Sequence, residues 1–469
     1  MDLKHLTITS ALEGLQKKEF SSVDLTKAYI ERIKKLNHKL NAYLTISEKE
    51  AFDQAKRADD LRTNGENLPL LGVPIAHKDL FLTRGIRTTA SSKVLEDYIP
   101  QYDGTVVKKL KDTGAVILGK LNCDAWAHGS SGENSDFGPV KNPYNLEYVP
   151  GGSSSGSAAS VAADMCLLST GTDTGGSIRL PASFTNTVGL KPTYGRVSRY
   201  GIVAMASSLD SIGHFTKTVE DSARVLQITA GKDPSDATTP PQPVPDYLTN
   251  LKNGVKGLKI GVPKEYFIEG VDPRIAELIK KALTFYERQG AHIVDVSLPH
   301  TKYAIAVYYI VQTAEVSSNL ARYDGIRYGN ARASFGDEAI RRIMLGTYVL
   351  SAGYYDAYYN KAMQVRTLII KDFEDAFKKA DVIITPASPS LPWKIGEKAN
   401  DPLKMYLSDI FTVTGNLAGI PGLSVPAGFI DGLPVGMQIL GPQFSEDLLY
   451  RAGHTFETEH PYYMEKPNL

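Results

Sequence analysis

The spacing of apolar residues along the 469-residue chain predicts a helical start followed by alternating helices and strands. In "SSVDLTKAYIERIKKLN" (residues 21–37) the apolar positions recur every three or four residues, and serines at its start can cap a helix. We therefore expect residues 1–65 to form a helical region. A buried strand is predicted next in "LLGVPIAHKDLF" (residues 70–81), which is rich in Val, Ile and Leu.

A helix, a turn and an apolar strand follow one another in three further stretches: "TVVKKLKDTGAVILGKLN", "DPRIAELIKKALTFYERQGAHIVDVSLP" and "DFEDAFKKADVIITPAS". This alternation predicts the α/β class, with a sheet covered by α-helices on both faces. The Pro-rich segment "GKDPSDATTPPQPVPDYL" is predicted to be a surface loop rather than a domain boundary. Residues 303–370 are predicted to be helical, and we expect their many tyrosines to pack against the core.

Charge and cysteine content narrow the class of protein. The 52 basic and 52 acidic residues balance, so no overall field attracts nucleic acid or an anionic membrane. The two cysteines, Cys123 and Cys166, exclude a disulfide framework and favour a reducing compartment. The N-terminus lacks a signal peptide's apolar region and no stretch has transmembrane length, so a cytoplasmic globular protein is predicted.

Two segments rich in Gly and Ser stand out, "VPGGSSSGSAASVAAD" and "GTDTGGSIRLPAS". They match neither the phosphate loop, which needs a Lys-Ser/Thr pair, nor the dinucleotide fingerprint, nor the G-x-S-x-G nucleophile elbow. The first could be a flexible linker, but a helix of small residues follows it. In the second, Ser177 either caps a helix or lies on bare backbone that binds a ligand.

A base for such a serine is available in "PIAHKDLF". Lys78 lies in an otherwise apolar strand, where a buried ammonium tends to lose its proton and can then accept one from a serine. The alternative is that Lys78 pairs with Asp79 at the end of the strand. A His-dependent serine triad also remains open, whereas the nine histidines and two cysteines show no metal-binding pattern.

Lys78 in "AHKD", Ser153 in "PGGSSSGSA" and Ser177 in "GTDTGGSIRLPA" together resemble the amidase signature family, and the resemblance covers essentially the whole chain. It implies the amidase-signature fold, a large mixed central β-sheet covered on both faces by α-helices. It also implies one domain over residues 1–469, with a catalytic core at 66–230 and the rest of the sheet and a helical substrate side at 231–469. "VGLKPTYGRVSRYG" and "NLAGIPGLSVPAG" are most similar to the A subunits of tRNA-dependent amidotransferases.

The resemblance implies a Ser-cisSer-Lys triad. Ser177 would be the nucleophile, Ser153 would relay its proton after a cis peptide bond from Gly152, and Lys78 would be the final base. The oxyanion would be bound by the backbone N–H groups from Thr174 to Ser177, with Thr174, Gly175 and Gly176 the assigned positions. A β-carbon there would obstruct amides that converge on a carbonyl oxygen.

The resemblance further implies that glutamine is the substrate. Arg342 would bind its α-carboxylate, Asp409 its α-ammonium, and Tyr308 would lie beside them, a chemically suitable pairing of groups. Without the resemblance, Arg342 would be interpreted as an exposed helix charge beside Arg341.

The implied activity is that of a glutaminase subunit in a heterotrimer with B and C subunits. Ammonia would serve transamidation of Glu-tRNA(Gln) or Asp-tRNA(Asn), with the charged tRNA, ATP and Mg²⁺ bound by the partner and no metal or cofactor in this chain. One alternative is a stand-alone amidase or carbamate-cleaving hydrolase that uses the same triad on an uncharged substrate. A catalytically dead scaffold is the other, and it is disfavoured because all three triad positions carry competent residues.

One departure from the subfamily concerns the stretch "NCDAWAHGSS". The subfamily has a glutamate in its ammonia passage where this chain has Ala125, and His128 stands nearby. We therefore expect the route of ammonia, but not the acylation step, to differ.

Overall fold

The computed structural model describes residues 1–267, 270–326, 329–398 and 402–469. Within these ranges eleven strands form one sheet, in the spatial order β1-β3-β2-β4-β6-β5-β10-β11-β9-β7-β8. The strands are β1 (Tyr43–Ile46), β2 (Pro74–Lys78), β3 (Val116–Leu121), β4 (Leu168–Asp173), β5 (Val188–Lys191), β6 (Ser211–Thr216), β7 (Lys259–Pro263), β8 (His292–Val296), β9 (Val382–Pro386), β10 (Gly422–Ile430) and β11 (Leu433–Leu440).

The described α-helices connect these strands and flank the sheet. They are α1 (Ile8–Gln16), α2 (Ser22–Leu40), α3 (Glu48–Thr63), α4 (Thr105–Asp112), α5 (Ser155–Ala162), α6 (Arg179–Phe184), α7 (Val219–Thr229), α8 (Pro273–Arg288), α9 (Ala304–Leu320), α10 (Asp337–Val349), α11 (Lys361–Phe377), α12 (Pro402–Leu407), α13 (Val413–Leu417) and α14 (Glu446–Glu459). In the part of the chain that the structure describes, no helix has the length and apolar character needed to cross a bilayer.

The sheet is mixed, and both of its faces are covered at its centre. The pairs β2–β3, β2–β4, β7–β8 and β7–β9 are parallel, whereas the remaining pairs are antiparallel. Every residue of β2, β4 and β6 is buried. Because successive strand residues point to opposite faces, this burial requires cover on both sides. The predicted α/β fold is thus confirmed.

The three helix–turn–strand stretches form α4–β3, α8–β8 and the end of α11 with β9, as the sequence predicts. The Pro-rich segment contains no helix or strand. The helical region at residues 1–65 holds α1, α2 and α3, but also the short edge strand β1, which the sequence analysis missed. Its sequence, Tyr-Leu-Thr-Ile, lacks the strict apolar–polar alternation that marks a half-buried strand.

The expectation that the tyrosines of residues 303–370 pack against the core is only partly correct. Tyr308 on α9 is buried, but Tyr348, Tyr354, Tyr355 and Tyr358 are between 39% and 49% exposed. The last two lie on a π-helical turn, Tyr355–Asn360, before α11. There the aromatic rings contact one another instead of the core.

The parallel pairing of β2 with β4 determines where the chemistry lies. Parallel neighbours end at the same edge of a sheet, so Lys78 at the end of β2 lies near the segment that follows β4. That segment carries Ser177, and the short helix α5, which follows Ser153, packs against β4. Three sequence-distant segments are therefore brought together at this edge.

Candidate active site

Lys78 is fully buried at the end of β2 and is surrounded by hydroxyl groups. Its Nζ donates hydrogen bonds to Ser153 Oγ at 2.8 Å, Ser154 Oγ at 2.9 Å and Thr172 Oγ1 at 2.8 Å. Three acceptors match the three protons of an ammonium group, so the site can hold the charged form as well as release a proton.

Burial lowers the pKa of Lys78 to about 8. No carboxylate of the described residues forms an ion pair with Lys78. The side chain of Asp79 turns away instead, accepting a hydrogen bond from Thr89 and pairing with Lys120 at 3.6 Å. The interpretation of Lys78 as the partner of Asp79 is therefore wrong.

The peptide bond between Gly152 and Ser153 is cis, as the resemblance implies. The segment around it is tied down on two sides. Gly152 N–H donates to the carbonyl of Ser130 at 2.9 Å, and Ser154 N–H donates to the carbonyl of Ser177 at 3.2 Å. The second bond places the relay segment against the nucleophile segment.

Ser177 lies between β4 and α6 and is 9% exposed, in contrast to Lys78 and Ser153, which are fully buried. In the described part of the chain its Oγ makes no hydrogen bond, so the contact from Ser177 to Ser153 remains a prediction. Hydrogen bonds of this kind are often formed only when substrate is bound. The structure does bring Lys78, Ser153 and the backbone of Ser177 together.

Asp173 organises the turn that carries Ser177. Its carboxylate accepts from Gly176 N–H at 2.8 Å, Ile178 N–H at 3.1 Å and the guanidinium of Arg179 at 3.0 and 3.1 Å. Burial by itself would raise the pKa of Asp173, but the charge and hydrogen bonds of Arg179, together with Lys191 and Asn416, outweigh burial and hold the pKa at about 2. Arg179 also donates to Asn416 Oδ1 at 2.6 Å, which fixes the turn to α13.

The bare backbone of this turn supplies candidate oxyanion donors. Among the described residues, none accepts a hydrogen bond from the backbone N–H of Thr174, Gly175 or Ser177, whereas Gly176 N–H is bonded to Asp173. Thr174 is anchored separately, because its hydroxyl donates to Asp210 at 2.7 Å. The geometry leaves three amides for a developing oxyanion, with Gly176 N–H positioning the turn in this state.

Both glycines of the turn face close neighbours. A β-carbon on Gly175 would lie 2.7 Å from Cζ of Tyr308, and one on Gly176 would overlap Oγ1 of Thr412. Gly176 also has φ +134°, a conformation that side-chain-bearing residues rarely adopt. Tyr308 thus lies against the turn, and Thr412 Oγ1 secures it by donating to the carbonyl of Gly175 at 2.7 Å.

We expect Gly176→Ala to lower kcat by about a hundredfold, because the added methyl would displace the amides that are predicted to bind the oxyanion. Ammonia release measured on folded protein tests this. Gly65→Ala is the control: Gly65 also has a positive φ, +89°, but a β-carbon there meets nothing within 4 Å. Equal losses of kcat in the two variants would contradict the assignment of this turn.

A cavity of about 270 Å³ is lined by His128, Ser130, Tyr309, Glu338, Arg342 and Tyr406 among others. Arg342 is only 3% exposed, whereas the side chain of Arg341 is 46% exposed. The interpretation of Arg342 as an exposed helix charge is therefore wrong. Burial by itself would lower the pKa of Arg342, but Glu338 and the neighbouring tyrosines together outweigh burial and raise it, so the group is a permanent cation.

Asp409 connects this cavity with the turn. It is buried, and it accepts a hydrogen bond from Ser130 Oγ at 2.5 Å. Its carbonyl accepts from the backbone N–H of Thr412, whose side chain holds Gly175. Burial raises the pKa of Asp409 to about 7, so a bound cation would favour its ionised form.

The architecture and this site can be compared with known proteins. The family model described as Amidase matches residues 24–450. The chain belongs to the amidase signature family. It is 53% identical to the A subunit of the glutamyl-tRNA(Gln) amidotransferase of Geobacter metallireducens, with both chains fully covered.

Two solved structures support the same fold. The A subunit of the glutamyl-tRNA(Gln) amidotransferase of Thermotoga maritima is 44% identical, with a TM-score of 0.84 over 98% of this chain and 95% of that one. A bacterial aryl acylamidase of the amidase signature family is 28% identical, with a TM-score of 0.88 over 98% of each chain. The protein is accordingly an amidase-type enzyme, as its motifs predict.

Several groups that shape this amidase site were missed by the sequence analysis. They include the hydroxyls of Ser154 and Thr172 on Lys78, the Asp173–Arg179 pair, and Asp124, whose carboxylate accepts from the backbone N–H groups of Gly132 and Asn134. Arg179 lies in the segment "GGSIRLPAS", but nothing local indicates that it is fully buried. The one sequence signal for a role of Arg179 was the position of a charged residue directly after a glycine turn.

Ala125 and His128 are the positions at which the resemblance implies a departure from the subfamily. Both are buried, and in the described chain neither ring nitrogen of His128 has a hydrogen-bond partner. Burial lowers the pKa of His128 well below its usual value, so the ring is neutral. A neutral ring supplies no negative charge in place of the glutamate that the resemblance implies at position 125, and the altered ammonia route remains a prediction.

Proposed function

We propose that this chain is the glutamine-hydrolysing A subunit of a tRNA-dependent amidotransferase. The observation that carries the proposal is the pair of buried charged groups at the cavity. Arg342 lines the cavity, and the Asp409 carboxylate is hydrogen-bonded to Ser130, which also lines it. Arg342 and Asp409 are suited to the α-carboxylate and α-ammonium of an amino acid. An uncharged amide needs neither group.

The chemistry begins when Ser177 Oγ attacks the side-chain carbonyl of glutamine, while its proton passes through Ser153 to neutral Lys78. The backbone amides of the turn stabilise the oxyanion. Collapse of the tetrahedral intermediate breaks the C–N bond, and the proton returns through the relay to the leaving nitrogen, which departs as ammonia. Water then cleaves the glutamyl ester to glutamate and free Ser177.

The names of the relatives support a multisubunit role, because an A subunit implies that further subunits exist. We therefore propose a heterotrimer in which B and C subunits receive the ammonia. The charged tRNA, ATP and Mg²⁺ would be bound by the partner, and no metal or cofactor would be held here. Glu-tRNA(Gln) is the acceptor named for the relatives and is the proposed one, with Asp-tRNA(Asn) as a second acceptor. Because aminoacyl-tRNA is made in the cytoplasm, the complex would work there.

Ammonia release from glutamine tests the proposal directly. The purified chain is assayed alone and with its partner subunits, ATP and charged tRNA, and in parallel on aryl and aliphatic amides. Glutamine hydrolysis that the partners and charged tRNA stimulate is expected. Strong cleavage of uncharged amides with none of glutamine would instead establish a stand-alone amidase.

Arg342→Ala is expected to raise KM for glutamine about a hundredfold, because the α-carboxylate loses its charged hydrogen bonds. For 4-aminobutanamide, which is glutamine without that carboxylate, KM should not change. Arg224→Ala is the control, because Arg224 also pairs with a glutamate four residues earlier, Glu220, but lies on α7 outside the cavity lining. It should leave both KM values within about threefold. Equal losses on both substrates would show that Arg342 is structural.

A further inference from the structure

The guanidinium of Arg342 is held from two directions. Its Nε donates to Oε1 of Glu338 at 2.7 Å, one helical turn earlier on α10. Its Cζ lies 5.5 Å from the centre of the Tyr309 ring, which is stacked on the Tyr406 ring at 3.8 Å. The Tyr406 hydroxyl donates to the same Glu338 oxygen at 3.4 Å, so the four side chains form one connected group.

This arrangement occupies the Nε side of the Arg342 guanidinium and leaves its Nη1–Nη2 edge available for a ligand. Nε of Arg342 is bonded to Glu338, whereas Nη1 and Nη2 make no hydrogen bond to any residue that the structure describes. Those two nitrogens form the fork that binds a carboxylate with two parallel hydrogen bonds. A guanidinium fixed at Nε and over a ring loses little rotational freedom when such an anion binds.

We propose that Glu338 is a positioning residue for substrate specificity, which orients Arg342 so that its Nη1–Nη2 edge receives the substrate carboxylate. The proposal rests on the proposed function, since it takes an amino acid as the substrate. Glu338 itself does not touch the substrate. Its contribution is to fix the geometry of the group that does.

The simpler interpretation is an ordinary i,i+4 ion pair that stabilises α10. Such pairs are usually exposed and contribute little. Here the Arg342 and Glu338 side chains are 3% and 14% exposed, and both line the cavity described above. A matched pair of the ordinary kind exists on α7, where Arg224 Nη2 lies 2.8 Å from Glu220, with side chains 33% and 25% exposed.

The test compares Glu338→Ala, Glu338→Gln and the control Glu220→Ala in the full chain or its complex. Ammonia release is measured on glutamine and on 4-aminobutanamide, and thermal melting establishes that each variant is folded. Glu338→Ala should raise KM for glutamine about tenfold, leave kcat nearly unchanged and leave KM for 4-aminobutanamide unchanged. Glu338→Gln keeps an acceptor for Nε and should stay within about threefold of the wild type. Glu220→Ala should not change either KM.

Three outcomes would overturn the proposal. Equal losses on both substrates would make Glu338 structural, and an unchanged KM for glutamine in Glu338→Ala would remove its role altogether. A KM lowered by Glu338→Gln would show that Glu338 competes with the substrate for Arg342. Failure of the wild type to hydrolyse glutamine would instead refute the proposed function, and that result is obtained before any variant is compared.

Discussion

Replacing Ser177 by alanine is expected to lower kcat for amide hydrolysis by about 10⁴- to 10⁶-fold, the scale seen when a nucleophile of a catalytic triad is removed. Ser177 is the member of the proposed triad that is not fully buried, and it lies on a turn in which three backbone amides have no acceptor among the described residues. Its Oγ makes no hydrogen bond within the described chain. The free energy of unfolding should therefore change little, and the loss should appear in ammonia release and not in thermal melting.

Ser183→Ala is the control, and it is expected to lower stability without lowering activity. Ser183 lies six residues further on, is buried in α6, and its Oγ accepts a hydrogen bond from the backbone N–H of Gly436 at 2.8 Å. Its removal leaves that N–H unpaired and should destabilise the fold by about 1–3 kcal/mol, with kcat per folded molecule retained. A Ser177→Ala variant that kept a near-wild-type rate would refute the assigned nucleophile. Mass spectrometry of the acylated enzyme would then locate the true one.

Local patterns were sufficient to predict much of the fold. The helix–turn–strand stretches and the small-residue helix α5 are visible because period and composition are properties of neighbouring residues. Lys78 could also be identified from the local sequence, because a lysine within an apolar strand is a conflict between burial and charge. Its true neighbours were not, because Thr172 on β4 lies almost a hundred residues away and meets Lys78 only through strand pairing.

The same limit applies to the groups that hold the site in place. Asn416 bonds to Asp173 across 243 residues of sequence, and Ser130 bonds to Asp409 across 279. No periodicity encodes such contacts, because they depend on how the whole sheet is ordered. Glu338 illustrates a subtler case: its i,i+4 spacing to Arg342 is visible in the sequence, but only the fold shows that the pair is buried beside a cavity.

Replacing Lys78 by methionine is expected to lower kcat/KM by about 10³- to 10⁴-fold, the upper range for loss of a general base. Methionine keeps the length of the side chain but cannot accept a proton. In the wild type, kcat/KM should rise with pH and level off above about 8, because burial lowers the pKa of Lys78 to about 8 and the neutral amine is the active form. The residual activity of Lys78→Met should lack this rise.

Lys120→Met is the matched control, because Lys120 is also fully buried, lies in the neighbouring strand β3 and likewise has a pKa lowered by burial to about 8. Its Nζ bonds to the carbonyl of Phe81 and to Thr88, both at 2.6 Å, and pairs with Asp79, but it contacts no residue of the triad. Removing Lys120 leaves the buried Asp79 carboxylate without its ion-pair partner, so the melting temperature should fall. The pH dependence of kcat/KM per folded molecule should persist. Lys78→Met should show the reverse pattern, with the pH-dependent rise lost and the melting temperature not lowered. The melting temperature is maintained because losing a buried ammonium relieves a desolvation penalty. If Lys120→Met removed the pH-dependent rise and Lys78→Met preserved it, the base would be misassigned, and the hydroxyl cluster around Lys78 would be structural.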